Sequence, residues 1–289
     1  MSWLVPALLT AFFVGTQDAW VKRYFSTCNV FEMAAYPMVY SLPFLLAFLI
    51  SITVPPLDYV FFVSFLVSLP LNGLCFLLYM RAIQISPLSL TLPYLAFTPV
   101  FMLLTGLLFL GELPGAWGIV GILLIVFGGY VIHLDPEKFG LLAPLRAMGR
   151  EPGSLIMMLV AFLFSFAAVI AKIGILHSTP IFFALSFFGV HNLVVPLCLL
   201  LFGKIRIRRL LDLPGKGLVA GLLLCGHVLF HCLAIVLTKA VYMIAVKRLS
   251  ILVGVIYGRI WFQENDFRQR LLGATMMIAG SGLILILGR

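Results

Sequence analysis

Lys247 and Arg248 are adjacent cations about six residues inside an apolar run, AVYMIAVKRLSILVGVIYGRIWFQE, that spans 240–264. A charge at the centre of a membrane helix costs at least ~2.5 kcal/mol on insertion scales, so a pair kept there needs a reason. One reason is recognition, because two cations in a cavity would hold a carboxylate or a phosphate. The other is that both long side chains snorkel to the headgroups. Neighbouring helical residues point about 100° apart, so one can snorkel while the other faces inward. Gln17, Asp18 and Lys22 lie in a second apolar run, where Asp18 is the only acid deep in a span. At i,i+4, Asp18 and Lys22 share a helix face. The carboxylate either takes up a proton or a substrate amine, or simply pairs with Lys22.

His227 and His231 are also spaced i,i+4, with Cys225 and Cys232 nearby. That spacing can ligate a metal, but no carboxylate or third histidine shares the segment. Bonding to a neighbouring helix is the plainer reading. His191-Asn192 and Asn72 read the same way, as polar glue first and cavity lining second. Tyr36, Tyr40, Tyr79, Tyr94 and Tyr257 would stack on and hydrogen-bond a small amphiphile in a cavity, or anchor the chain at the lipid interface. The candidate substrate-binding set is Lys247, Arg248, Asp18, Gln17, Tyr79, Tyr94 and His231, with no catalytic and no metal site.

These residues need spans to position them. The chain has 289 residues, 63% hydrophobic and 10% charged, with a mean hydropathy of +1.18. A soluble domain is about a quarter charged, so this composition excludes one, and excludes disorder. Ten spans fit, near 3–22, 30–51, 59–82, 88–110, 115–132, 153–175, 180–202, 217–237, 241–263 and 268–287, each about the ~20 residues that cross a bilayer. The runs are apolar all round, so they predict helices rather than barrel strands. The first is expected to remain as a span rather than to be cleaved. The net charge of +9 lies mostly in loops, where it faces anionic lipid, and no nucleic-acid motif accompanies it.

The longest polar stretch, His133 to Gly153, divides the chain. The reading is a first five-helix repeat over 1–135, a linker over 136–152 and a second repeat over 153–289. At an offset of 152, Gly106 meets Gly258, Glu112 meets Glu264, Gly121 meets Gly273 and Gly128 meets Gly280; at 150, Lys22 meets Lys172. Glycine, glutamate and lysine matches are informative where those types are scarce. Five helices per copy is odd, so the copies must insert in opposite orientations, an arrangement typical of transporters with a mid-membrane site. Lys172 has no acid on its own helix, so its partner must come from another. Pro93 and Pro99 predict a kink in the fourth span. The paired turns at 112–115 (ELPG) and 264–267 (ENDF) read as structural, with each glutamate capping the helix that follows.

The segments AIQISPLSLTLPYLAFTPVFMLLTGLLFLGE, over 82–112, and 240–264 each end in glutamate before a short turn and a Gly-rich helix. In these segments the chain resembles the drug/metabolite transporter superfamily, in its ten-helix EamA-type branch, over nearly its whole length. The resemblance implies a cavity lined by helices 1, 3, 4, 6, 8 and 9, and export of a small polar or amphiphilic metabolite such as an amino acid or organic anion by alternating access. It also implies a multi-pass cell-membrane protein, of the bacterial inner-membrane type, with cytoplasmic termini. The positive-inside rule, counted on this chain's own loops, places both termini outside. The loop 51–58 lacks the basic cluster such proteins often carry after helix 2. No P-loop is present, so transport is facilitated or coupled to protons or another ion, without a cofactor. No enzyme motif such as H-E-x-x-H or G-x-S-x-G appears. The expected partners are a small-molecule substrate and lipid, in a monomer or homodimer. A flippase for a lipid or lipid-linked substrate is the alternative.

Overall fold

The computed structural model describes residues 3–86, 88–132, 152–262 and 267–288. The expected linker falls almost wholly outside these residues, as does the turn at Glu264. Helices α1 (Leu4–Phe25), α2 (Val30–Ile50) and α3 (Tyr59–Ile85) come first. They are followed by α4 (Leu88–Leu95), α5 (Thr98–Leu110) and α6 (Ala116–Ile132). Then come α7 (Pro152–Leu176), α8 (Pro180–Leu201), the one-turn α9 (Ile207–Leu210) and α10 (Pro214–Val236). The chain closes with α11 (Ala240–Lys247), α12 (Ser250–Phe262) and α13 (Phe267–Leu287). No strand occurs among the described residues.

Local chemistry sets the helix ends. Asn29 and Glu32 form a reciprocal capping box at the start of α2. Asp58 Oδ1 accepts from Phe61 N at 2.9 Å at the start of α3. Thr179 caps α8, with Pro180 in its first turn. Gly111, at φ 65°, ends α5 in a left-handed conformation.

Among the described residues, α1, α2, α3, α7, α8 and α10 are each long and apolar enough to cross a membrane. Their outward faces are apolar, as at Leu66 and Phe12. The fourth and ninth expected spans are each broken in two, at 96–97 and at 248–249. The chain turns tightly there through bonds three residues apart, Phe97 N to Tyr94 O and Val100 N to Phe97 O in the first break. Arg248 N to Ala245 O, Leu249 N to Val246 O and Ile251 N to Arg248 O do the same in the second. Such a tightening inside a helix marks a hinge or a functional site. In the first break Pro99 has no amide proton to donate and so suits the opening turn of α5. The two breaks lie 152 residues apart.

Helices α6 and α13 run antiparallel at backbone contact. A Cβ on Gly121 would sit 2.6 Å from Gly280 O, and one on Gly128 would sit 2.6 Å from Gly273 O. A Cβ on Gly129 would meet Ala96 at 3.1 Å and Ile251 at 3.4 Å, one residue from each broken segment.

The core divides into two large apolar clusters. One gathers Ala7, Ala11, Phe61, Phe183, Ala234 and Met243. The other gathers Val21, Phe25, Tyr36, Tyr79, Met157 and Ala220. Along α1, α7 and α10 one cluster takes one end and the second takes the other. Gln17 and Asp18 on α1, Ser165 on α7 and His227 on α10 fall between them.

Candidate functional site

Between the clusters lies a cavity of about 130 Å³. Its polar side is built at the second helix break. Arg248 ends α11, is 4% exposed, and donates from Nη2 to Thr98 Oγ1 at 2.7 Å. Thr98 opens α5, so the bond joins the two breaks. Lys247 Nζ and His227 Nε2 are 2.9 Å apart, linking α11 to α10. The ring of His231 meets that of His227 edge to face, at 6.1 Å between centroids. Neither cation snorkels: both line the cavity.

Asp18 is half-buried on α1. Lys247 and Arg248, from across the molecule, act electrostatically on its carboxylate. The Tyr79 hydroxyl approaches the same carboxylate without closing a geometrically complete hydrogen bond. Gln17 is buried beside Asp18 in sequence, with Oε1 unpartnered among the described residues.

Of the candidate set, then, the structure gathers Lys247, Arg248 and His231 at the cavity and sets Asp18 and Tyr79 against the cations. Tyr94 stands apart, since its hydroxyl bonds Ser154 at the start of α7. Tyr36 and Tyr40 also do other work: their hydroxyls donate to Arg209 O and Leu210 O, tying α2 to the α8–α10 connection.

The apolar side of the cavity is a ladder on α8. Phe183 and Phe187 stack at 5.2 Å, and Phe187 stacks on His191 at 5.8 Å. These residues recur every four positions and share one face. Sequence reasoning did not reach this ladder, because the seventh helix was not among the expected lining helices. The 183/187/191 spacing of aromatic rings was its only trace. Thr98 was missed too. Its trace was its place just before Pro99.

The two ends of the bundle are tied across it. At one, the Glu112 carboxylate takes a bond from Lys172 Nζ and another from Ala240 N at 2.7 Å. Glu112 thus caps α11 rather than the helix that follows it, and it supplies the partner Lys172 requires from another helix. Lys172 also donates to Thr238 O at 2.6 Å. At the opposite end, Trp20 Nε1 donates to Lys216 O at 3.0 Å and the Arg23 guanidinium lies 4.7 Å from the Trp261 ring.

Residues 1–134 match the model of the EamA-like transporter family. A search among curated proteins finds no match. Among solved structures 28 chains match. One crystal structure, described only as that of a protein, superposes with a TM-score of 0.73 at 13% identity, over 100% of this chain and 99% of its own. At that identity the likeness speaks for the fold alone. Its extent shows that the architecture continues past residue 134 to the end of the chain. The first 134 residues thus carry the pattern of the EamA-like transporter family of the drug/metabolite transporter superfamily, and the six long apolar helices make the chain a multi-pass membrane protein.

Proposed function

We propose that this protein is a secondary carrier for a small metabolite bearing an anionic group, exporting it across the cell membrane by alternating access. The observation that carries the reading is the pair of half-buried Lys247 and buried Arg248, at a helix break and lining a cavity. Arg248 Nε has no partner among the described residues, so the cavity keeps an unused donor on a cation. A carboxylate or phosphate would satisfy it, and attraction is strong where water is scarce. Asp18 supplies one opposing charge to two cations, so a net positive site remains for the substrate.

The ten-span, inverted-repeat reading has independent support. Gly121 and Gly273 are repeat counterparts, as are Gly128 and Gly280. The contacts pair Gly121 with Gly280 and Gly128 with Gly273. Exchanging the two halves turns each contact into the other, with the equivalent helices antiparallel. That is the relation expected of copies inserted in opposite directions. The equivalent placement of the two helix breaks agrees with it.

The test is counterflow and net flux of small organic anions and amino acids in proteoliposomes, with and without a pH gradient. Lys247→Gln or Arg248→Gln should lower the transport rate at limiting substrate by about 10- to 100-fold, the worth of one charge-assisted hydrogen bond, while the protein still purifies as a folded species. Unchanged kinetics in both variants would remove the anionic site. Movement of labelled lipid between leaflets, with no solute flux, would put the flippase in its place.

A further inference from the structure

A relay of hydrogen bonds fixes what one free nitrogen in the cavity can do. The Ser41 hydroxyl donates to Met38 O at 2.7 Å, so towards Asn192 it can only accept. Asn192 Nδ2 donates to Ser41 Oγ at 2.8 Å, which orients the amide. Its Oδ1 then faces His191 Nδ1 at 2.9 Å. An amide oxygen only accepts, so His191 Nδ1 carries a proton. Lys247 and Arg248 already place positive charge in the same cavity, so the imidazole is neutral and Nε2 is a lone-pair acceptor. That atom is buried and has no partner among the described residues. The His191 side chain is 3% exposed and lines the cavity. On α3, a Cβ added to Gly73 would come into ordinary van der Waals contact with Nε2, at 3.9 Å.

The cationic end of the cavity has the opposite polarity. Lysine offers only donors, so His227 accepts through Nε2 and its Nδ1 bears the proton. This Nδ1 and Arg248 Nε are both unpartnered among the described residues. The site thus offers donors at Lys247, Arg248 and His227 and an acceptor at His191, with Phe183 and Phe187 stacked beside His191. The volume of about 130 Å³ is close to the ~150 Å³ of an apolar cavity that admits benzene, so the ligand body is of about one ring.

We infer that the ligand is a small organic anion whose apolar or aromatic body carries, away from its acidic group, an N–H or O–H that donates to His191 Nε2. The inference rests on the carrier reading for the acidic pole and adds the donor pole. Its cheapest probes are phenylacetate and 4-hydroxyphenylacetate, which differ by one remote hydroxyl.

Binding of both to the purified full-length protein in nanodiscs should favour the hydroxylated probe about three- to tenfold, the net effect of one hydrogen bond. His191→Phe keeps the stack on Phe187 and removes the acceptor. It should erase the preference, bringing the affinities of the two probes within about twofold of each other. Lys247→Gln should weaken both probes alike. Equal wild-type affinity for the two probes overturns the donor pole and leaves the acidic pole standing, whereas failure of both to bind overturns the two together. If His191→Phe does not fold, ¹⁵N-histidine spectra of the wild type decide. An unprotonated His191 Nε2 that shifts only with the hydroxylated probe supports the inference, and a proton on that nitrogen defeats it.

Discussion

At the scale of single residues, the charged side chains found their partners far away in sequence. Asp18 and Lys22 suggest a local pair because i,i+4 spacing is visible in a string of letters. The structure adds the charges of Lys247 and Arg248 acting on Asp18, a relation no local spacing encodes. Lys172 announced its need of a distant partner, and Glu112 meets it with the two side chains 5% and 19% exposed. Glu112→Gln should therefore leave a buried cation short of charge and cost ~3–5 kcal/mol of stability, read by thermal unfolding in detergent. Adding Lys172→Met should recover much of the loss, and a Glu112→Gln protein as stable as the wild type would show the pair to be idle. Asp58 lies outside the spans. The Phe61 amide, first, and the His177 ring, 2.6 Å from Oδ2, hold its carboxyl below its ordinary value of 3.8. A carboxyl depressed in the folded state stabilises above its unfolded value, and that stability is lost as pH falls through the folded value. Wild type should therefore melt higher than Asp58→Asn at pH 6, with the gap closing as pH drops below 3.8. A gap independent of pH would mean that Asp58 acts only through the shape of its cap.

At the scale of elements, most helices were legible because each is an apolar run of bilayer length with turn residues at its ends. The breaks at 96–97 and 248–249 were not, because each lies inside a single apolar run of bilayer length. Pro99 and the Lys247-Arg248 pair hinted at them, but a kink and a break look alike until the bonds between turns are known. The glycines of α6 and α13 were legible as packing residues, while which glycine meets which required the fold. A Cβ on Gly121 would strike a backbone oxygen, which cannot swing aside. Gly121→Ala should therefore cost ~1–3 kcal/mol, measured by thermal unfolding. Gly282→Ala, on the same α13 but with open space around its Cβ position, should stay within ~0.5 kcal/mol of wild type. Equal effects of the two would mean that α6 and α13 part readily.

At the scale of the molecule, composition alone pointed to a membrane as the solvent, and the 152-residue offset is the sequence signal behind the proposed two-repeat division. The cavity was legible only in its cations. Its aromatic wall lies on α8 alone, and the Ser41–Asn192–His191 relay joins α2 to α8, a contact that no local spacing encodes. Two equivalent breaks in one chain invite the idea of two substrate sites. The packing argues for one. Gly129 touches a residue of each broken segment, and Arg248 of one break holds Thr98 of the other. On the proposed carrier reading the two breaks would move as a single mechanical part, and the expected stoichiometry is one substrate per chain per cycle. Flux into proteoliposomes should rise hyperbolically with concentration, with a Hill coefficient of about 1. A sigmoidal curve from monomeric protein would mean that each break moves alone and carries its own passenger.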